Sequence, residues 1–338
     1  MNMFDTTTLN KVINAMKEPS TFLLDVFFPH IQPADNGDES ISFDVDKTKP
    51  QIAAFVAPFV KGKVTRNKGY ITKKITPAYV KDKRIFNSKM ALKRVKGETI
   101  GGNLSGWERQ RIRLAQHLEL QLNALTLREV CMARDLMLSG KTTIVGEDYP
   151  TVEVDFGRET ALTKTLSGGS AWGQDGVSPY DDVEAHINEI GGESGYFPNI
   201  VVMDPLAWKD YIADSKVKDA IDVRRGGDST VKLGHLLGKA RYMGTVGQVE
   251  IYVYQEKYLD ENGATQQMMP DNTVLLGGEG IEGARGYGAI HDEESGFVAD
   301  RYFSKSWVEH EGPRNLLLQS APLPILYRPN ASGSITTK

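Results

Sequence analysis

The stretch from Ser105 to Gly140 constrains this chain more than any other, because it predicts one uninterrupted helix about 50 Å long. It begins with the capping box Ser105-Gly-Trp-Glu108 and ends at Ser139-Gly140. No Pro or Gly interrupts its interior. Apolar side chains recur at three- and four-residue steps: Leu114, Leu118, Leu122, Leu125, Met132 and Leu136. A helix of this length predicts a strut with material packed on two of its sides.

The charges along this strut exclude a membrane span, where each charged side chain costs roughly 3 kcal/mol at mid-bilayer. The apolar repeat is also too irregular for a coiled coil. Arg109, Arg111 and Arg113 lie near the helix N-terminus, where the helix dipole disfavours cations. They form either a solvated face or a contact with an external anion, which is a neighbouring chain or nucleic acid.

The composition indicates a globular protein of about two domains, with 338 residues and 40% hydrophobic side chains. The single cysteine, Cys131, excludes an intrachain disulfide and a cysteine-rich metal site. It lies on a second apolar strip of the strut, which favours a packing role. The N-terminus lacks the pattern of a signal peptide, and the longest apolar run, Ile52 to Val60, is too short to cross a bilayer. We therefore expect a protein made and kept in a reducing cytoplasm, with no membrane partner.

Positive charge is concentrated between Lys61 and Lys96, where thirteen basic residues face one acidic residue. This segment carries +12, so the rest of a chain of net charge −4 carries −16. The run from Val64 to Ile75 predicts a β-hairpin with Gly69 in its turn. Its apolar residues are too sparse for a core, so it is either a solvated loop or an arm that needs a surface from another chain or ligand. The basic residues expected to make a subunit contact are Lys61, Lys63, Arg66, Lys68, Lys73 and Lys74.

The first 50 residues predict a short helix followed by an extended arm broken by prolines. The run from Phe22 to Phe28 is too apolar to remain in water. It must dock either on its own body or on a neighbour, and Phe22, Phe27 and Phe28 are its expected contact residues.

The residues after the strut predict a β-hairpin from Lys141 to Phe156. The C-terminal stretch from Leu316 to Tyr327 contains prolines that limit its last part to edge or bulged strands. We expect this stretch to pair with the strand from Val152 to Phe156.

Residues 179–309 predict a mixed α+β domain. Ser178 caps a helix that is expected to end at Gly191-Gly192. The segment from Leu233 to Lys239 predicts a short helix, and Val249 to Tyr254 alternates as a half-buried strand should.

The sequence contains partial matches to ligand-binding motifs, but the segments around them do not fit those motifs. Gly140-Lys-Thr142 resembles the end of a phosphate loop, but it follows a helix and lacks the first glycine. Gly278-x-Gly280-x-x-Gly283 follows a strand, as a dinucleotide site requires, but two more glycines stand where a helix should begin. The six histidines are scattered. We expect no catalytic residue, no metal site and no cofactor.

The order of these segments resembles that of the major capsid proteins of tailed phages, and most closely the phage lambda major capsid protein family. The residues that carry the resemblance span nearly the whole chain: Phe22-Leu-Leu-Asp-Val-Phe-Phe28, Tyr79-Val-Lys81, Val152-Glu-Val-Asp-Phe-Gly-Arg158, Asp222-Val-Arg-Arg-Gly226, Leu237-Gly-Lys-Ala240, Pro270-Asp-Asn-Thr273 and Gln319-Ser-Ala-Pro322.

This resemblance implies an α+β fold of the tailed-phage major capsid protein type (Hong Kong 97 type). The implied parts are an N-arm (1–50), an extended E-loop (51–100), a peripheral domain (101–178) with a spine helix (105–139), an axial domain (179–309) and the return strands of the peripheral domain (310–338).

The resemblance also implies a function. Copies of the chain would form pentamers and hexamers of an icosahedral shell that encloses double-stranded DNA and expands as the DNA enters. The implied partners are further copies, a scaffold protein, a portal, a decoration protein and the packaged DNA. The implied location is the virion, after assembly in the host cytoplasm.

Charge suggests how copies would meet: the +12 arm lies on the −16 body of an adjacent subunit, while apolar side chains such as Phe27 and Phe55 hold it. Reversal of Lys73 and Lys74 to Glu should then stop or misdirect shell formation without unfolding the monomer. The main alternative is a non-specific nucleic-acid-binding protein that uses the basic hairpin in residues 61–96, with a steep salt dependence. A third is an enzyme built on the α+β domain.

Overall fold

A computed structural model describes most of the chain. The described residues are 3–16, 21–33, 39–45, 52, 55–59, 61, 71–87, 89, 92–102, 104–146, 149–222, 239–309 and 312–338. Within these ranges the fold mixes helices with small and large sheets, as the α+β prediction requires. None of the helices in these ranges is long and apolar enough to span a membrane.

The α-helices of the described ranges are dominated by α3, which is three times as long as α1. The helices are α1 (Thr6–Ala15), α2 (Phe22–Phe27), α3 (Gly106–Ser139), α4 (Pro179–Ser194), α5 (Pro205–Ala213) and α6 (Ser215–Ala220).

The strands form one seven-stranded sheet and several sheets of two or three strands. In chain order they are β1 (His30–Pro33), β2 (Ile41–Val45), β3 (Ile71–Ile75), β4 (Val80–Phe86), β5 (Lys141–Gly146), β6 (Tyr149–Asp155), β7 (Thr163–Thr165), β8 (Ile200–Met203), β9 (Ile221–Asp222), β10 (Ala240–Val246), β11 (Val249–Tyr254), β12 (Lys257–Leu259), β13 (Thr265–Gln267), β14 (Thr273–Gly277), β15 (Gly283–Tyr287), β16 (Phe303–Val308), β17 (Arg314–Ser320), β18 (Pro322–Leu326) and β19 (Gly333–Thr336).

Helix α3 confirms the predicted strut, and both of its ends follow from the sequence. The Ser105 hydroxyl accepts from the Glu108 N–H, and the Glu108 carboxylate accepts from the Ser105 N–H, which completes the capping box. Gly140 adopts the left-handed conformation with φ 71°, and its N–H closes the last turn on the Leu136 carbonyl.

The strut is packed differently along its two halves. The N-terminal half, through Leu114, Leu118 and Leu122, shares a core with α1, β4 and β17. The C-terminal half, through Leu136 and Met137, shares a larger core with α2, β5 and β18 and also contacts β19. Each fully buried leucine contributes about 2 kcal/mol to the stability of the fold, so both cores hold the helix in place.

The seven-stranded sheet has the strand order β7-β19-β14-β8-β11-β10-β9 and forms the centre of residues 163–336. Helices α4 and α5 pack beside it over a separate core that contains Trp172, Ile190 and Tyr211. The C-terminal strand β19 lies in this sheet between β7 and β14, so the end of the chain completes it.

The predicted pairing of the C-terminal stretch with the Val152–Phe156 strand is wrong. β17 pairs with β16 and with β4, β18 pairs with β15, and β6 pairs with β5 in a two-stranded sheet. The basic strand β4 supplies the long edge that takes up β17. The proline argument is confirmed, because β18 with Pro322 and Pro324 lies at the edge of the β1-β15-β18 sheet.

Two local predictions also need correction. Helix α4 continues past Gly191-Gly192 to Ser194, with left-handed Gly195 as its cap. Gly191 is instead a site of close packing, because a Cβ there would lie 2.3 Å from Cε1 of the Phe197 ring. Strand β11 is covered on both faces at its C-terminal end, since Ile251 and Val253 are buried on one face and Tyr252 and Tyr254 pack on Phe22 on the other.

The N-arm and the basic segment each contribute one strand to a two-stranded sheet. β2 pairs with β3, so the strand in residues 71–75 finds its partner in the N-arm. The predicted hairpin partner around Val64 and the predicted helix from Leu233 lie outside the described residues. The run from Phe22, expected to be extended, forms the short helix α2.

Candidate subunit-contact surfaces

The described part of the E-loop presents apolar side chains to solvent. Ile52 is 89% exposed, and Phe55 and Phe59 are completely exposed. Lys61 beside them is also exposed. An apolar group of this size next to a cation is typical of a surface that another protein covers.

The other basic residues of the predicted contact divide into two groups. Lys63, Arg66 and Lys68 lie outside the described residues. Lys73 and Lys74 lie on β3, where the Lys73 ammonium donates to the backbone carbonyl of Asp155 in the same subunit and Lys74 is exposed. Lys73 therefore contributes to its own subunit before any contact with a neighbour.

Phe22, Phe27 and Phe28 are buried in the large core of their own subunit. The sequence left open whether this run docks on its own subunit or on a neighbour, and in the structure it docks on its own subunit. Arg285 on β15 holds this segment: its Nε donates to the Phe28 carbonyl at 2.9 Å and its Nη2 to Asp25 Oδ1 at 2.6 Å. These three rings thus offer no side-chain surface to a neighbouring copy.

Two of the three early strut arginines have partners in the same chain. The Arg109 guanidinium donates to both carboxylate oxygens of Glu98, and this ion pair lowers the pKa of Glu98. Arg113 Nη2 donates to the backbone carbonyls of Lys93 and Arg94 at 3.1 and 3.0 Å. Both contacts tie the segment in residues 92–102 along the first turns of the strut.

Arg111 differs from its two neighbours because its side chain is exposed. It lines a groove between α1 and the N-terminal half of α3, together with Val12 and Ile112. Arg111 is therefore the one of the three that is placed to meet an external anion.

Glu129, a strut residue that is only 2% exposed, was not among the predicted functional residues. Its Oε2 accepts from the Tyr287 hydroxyl at 3.2 Å and its Oε1 from the Tyr302 hydroxyl at 3.3 Å. Burial raises the pKa of Glu129 to about 7, against the opposing effect of the positive charges on Arg301 and Arg285. Its position between Leu125 and Met132 in the apolar repeat is the signal that could have revealed it.

Arg158 is a second buried polar residue that had no predicted role. Its guanidinium donates to the Met137 carbonyl at 2.8 Å, the Leu138 carbonyl at 2.5 Å and Thr163 Oγ1 at 2.7 Å. Burial lowers the pKa of Arg158 to about 10. The positive charge satisfies the last carbonyls of the strut, where the helix dipole favours a cation.

The glycines of the Gly278-x-Gly280-x-x-Gly283 motif have a packing role. A Cβ at Gly283 would lie 1.9 Å from the Phe27 carbonyl oxygen, and one at Gly280 would lie 2.8 Å from Tyr196 Cβ. Strand β15 follows in place of the helix that a dinucleotide site needs. Among the described residues no group of His, Cys, Asp and Glu side chains could hold a metal ion.

Comparison with known proteins gives consistent results along the whole chain. The sequence model of a family described as phage major capsid protein E matches residues 5–337. The major capsid protein of Escherichia phage lambda is 35% identical over 294 residues, covering 84% of this chain and 85% of that protein. The major capsid protein of Escherichia phage N15 is 32% identical over 345 residues, covering 99% of both.

Solved structures show the same fold. A crystal structure described as a prophage capsid protein from E. coli CFT073 superposes with a TM-score of 0.79 at 24% identity, over 99% of both chains. A phage-related protein from Bordetella bronchiseptica RB50 gives a TM-score of 0.56 at 13% identity, over 98% of this chain and 96% of that one.

Proposed function

This chain belongs to the phage major capsid protein E family, and from that membership we propose how it builds a shell. It is a major capsid protein that forms the shell of a phage head, and its fold is the tailed-phage capsid fold. Its role is structural. The match over residues 5–337 carries this conclusion and favours it over a separate nucleic-acid-binding protein or an enzyme.

The parts of the subunit follow from this role. Residues 1–50 are the N-arm, 51–100 the E-loop, 101–178 the peripheral domain, 179–309 the axial domain and 310–338 the return strands of the peripheral domain. The pairing of β2 with β3 and of β4 with β17 supports a firm root for the E-loop on its own subunit. The exposed side chains Ile52, Phe55 and Phe59 are then carried away from that root to cover a neighbouring copy.

Burial of these three side chains against a neighbour supplies the energy of the contact. Each large apolar side chain removed from water contributes about 1.5–3 kcal/mol. The basic residues Lys61, Lys63, Arg66, Lys68 and Lys74 guide the E-loop to the acidic body of the next copy by charge complementarity. Lys73 is excluded from this set, since it binds Asp155 of its own subunit.

The assembled shell encloses double-stranded DNA, expands as the DNA enters and is built with a scaffold protein and a portal. A decoration protein at three-fold positions of the shell is a further expected partner. Copies assemble in the host cytoplasm as pentamers and hexamers before they become part of the virion. Arg111, exposed on the strut, faces either the packaged DNA or a neighbouring subunit.

Expression of the chain, followed by size-exclusion chromatography with light scattering and negative-stain microscopy, tests the proposal. Megadalton shells or discrete rings are expected, and a monomer that binds DNA with a steep salt dependence would contradict it. The variant Phe55→Ser/Phe59→Ser should lose shells while keeping the thermal stability of the subunit. Leu259→Ser is the matched control, because Leu259 is 65% exposed on β12, which is not part of the E-loop.

A further inference from the structure

Two exposed surfaces on this subunit combine apolar side chains with opposite charges but lie at different places along it. The first, the basic patch, surrounds the first turns of the strut. Leu92, Ile100 and Trp107 are 81%, 92% and 67% exposed there. Lys93 and Lys96 are exposed beside them. The contacts of Arg113 with Lys93 and of Arg109 with Glu98 hold this segment against the helix.

The position of Trp107 indicates that the basic patch is an interface with another protein. Trp107 lies seven residues before Leu114 and eleven before Leu118, so it continues the apolar stripe of the strut that those two leucines bury. Trp107 lies outside the core that contains those leucines, and its indole ring is exposed to solvent. A large aromatic residue in line with a core stripe and outside the core is typical of an interface position.

The second surface, the acidic turn, is formed by residues 292–298. Phe297 and Val298 are 54% and 51% exposed, and Glu293 and Glu294 are exposed beside them. The turn is firmly built: Asp292 Oδ1 accepts from the Glu294 N–H, and the Ile290 N–H donates to the Val298 carbonyl.

Phe297 is held in an unfavourable backbone conformation with φ 57°. Its N–H donates to the Ser295 hydroxyl at 3.2 Å, and Gly296 before it is also left-handed. An aromatic residue costs about 1 kcal/mol or more in this region. The strained backbone of this turn therefore places the apolar ring of Phe297 in solvent.

The two surfaces cannot cover each other within one subunit. The acidic turn lies beside Tyr79, whose hydroxyl accepts from the His291 N–H, just before β4. β4 then runs antiparallel to the strut: Asp82 is bound by Gln121, and further along the chain Glu98 is bound by Arg109. Twelve residues of helix separate Gln121 from Arg109, a distance of about 18 Å.

We propose that the acidic turn of one copy docks on the basic patch of the next copy, with Phe297 and Val298 against Trp107, Leu92 and Ile100. Glu293 and Glu294 then face Lys93 and Lys96. Since the two surfaces differ, the contact is head-to-tail, and repetition of such a contact closes a ring when the rotation fits. The inference rests on the proposed function and names a contact that would build the capsomer ring.

A charge exchange tests the contact. Glu293→Lys/Glu294→Lys and Lys93→Glu/Lys96→Glu should each lower shell yield by at least about tenfold, because like charges then meet. The variant that combines all four substitutions should restore most of that yield. Asp175→Lys and Lys209→Glu, reversals at exposed positions outside both surfaces, serve as controls and should leave the yield unchanged. Normal shells from either reversed pair, or no recovery in the combined variant, would overturn the proposal.

Disulfide trapping gives an independent readout that does not need complete shells. In a Cys131→Ser background, which removes the chain's single cysteine, Ile100→Cys with Phe297→Cys should give a ladder of linked subunits on a non-reducing gel. Each single cysteine variant should give at most dimers. A double variant that assembles and shows no ladder beyond the dimer would also overturn the contact. Wild-type protein that forms neither rings nor shells would contradict the proposed function itself, and this inference with it.

Discussion

The Tyr287 hydroxyl donates to Glu129 Oε2 at 3.2 Å, and this bond joins β15 to the middle of the strut through a buried carboxyl group. The Tyr302 hydroxyl, at 3.3 Å from Oε1 and 3.0 Å from Thr126 Oγ1, ties the segment before β16 to the same point. Glu129 therefore connects the strut with two segments that are distant from it in sequence. Its protonation state affects how firmly they are held.

Glu129 should make the subunit less stable as the pH rises. Its pKa is about 7 in the folded state against the ordinary value of 4.5 for a glutamate. Between these two values the folded state binds the proton more tightly than the unfolded state does, so stability falls as the pH rises through this window. The full loss is about 3 kcal/mol, complete only above pH 7.

Glu129→Gln removes this dependence, because an amide cannot ionise. Urea unfolding of unassembled subunits at pH 5 and pH 8 should show that the variant varies less with pH and is more stable than wild type at pH 8. Glu261→Gln, on an exposed carboxylate paired with Arg128, is the control and should leave the pH dependence unchanged. A wild-type slope that persists in Glu129→Gln would assign the pH dependence to other groups.

Arg158 should be more important for stability than an exposed arginine. Arg158→Ala leaves the Met137 carbonyl and the Thr163 hydroxyl without this donor, while the Leu138 carbonyl keeps only the bond from the Ser334 hydroxyl. Since each buried polar group left unsatisfied costs about 1–3 kcal/mol, we expect a loss of at least about 2 kcal/mol in the free energy of unfolding.

Arg128→Ala is the matched control, because it breaks an exposed ion pair with Glu261 that is worth about 0–1 kcal/mol. Both variants are compared with wild type by urea denaturation. Equal losses in the two would mean that Arg158 does not hold the end of the strut.

The sequence predicted the strut because all its signals are local: the capping box, the apolar repeat and the terminal glycine lie within 36 residues of each other. The pairing of β17 and β18 was not predictable in the same way. It depends on which distant edge is open, and local pattern carries no information about that. The same reason left the docking of Phe22, Phe27 and Phe28 undecided, since an apolar run reveals the need for burial and not the partner.

Some features of the candidate contact surfaces could be predicted from the local sequence and others could not. The exposed side chains Ile52, Phe55 and Phe59 belong to the apolar run from Ile52 to Val60, which indicates a need for burial but does not identify the partner. The partners of Arg109 and Arg113 depend on the return of residues 92–102 along the strut, which composition does not reveal. Glu129 had a local signal, because a charged residue stands within an apolar repeat.

Arg111 should contribute to the shell and not to the stability of the subunit. Arg111→Glu places a negative charge near the strut N-terminus, where the helix dipole favours it, so the free energy of unfolding should change by less than about 0.5 kcal/mol. Shell yield or the amount of DNA protected from nuclease should fall severalfold. Lys209→Glu, the control at an exposed position, should change neither. If both quantities stay at wild-type values in Arg111→Glu, the side chain belongs to a solvated face.

A substitution at Gly283, compared with one at Gly106, tests how closely the N-arm packs on the rest of its own subunit. At Gly283 a new Cβ would lie 1.9 Å from the Phe27 carbonyl oxygen, a backbone atom that cannot move without displacing α2. Gly283→Ala should therefore destabilise the subunit by more than about 1 kcal/mol, as overpacking does in a well-packed core. At Gly106, in the first turn of the strut, a Cβ would meet no atom within 4 Å. Gly106→Ala should be neutral or stabilise by up to about 1 kcal/mol, because Ala favours the helix.

Thermal unfolding of the two variants, with limited proteolysis of the N-arm, measures the difference. Gly283→Ala should unfold at a lower temperature and be cleaved faster near α2, whereas Gly106→Ala should match or exceed wild type. A Gly283→Ala subunit as stable and as resistant as wild type would show that α2 can move away from β15 at little cost. The close approach at Gly283 would then have no part in fixing the N-arm to its own body.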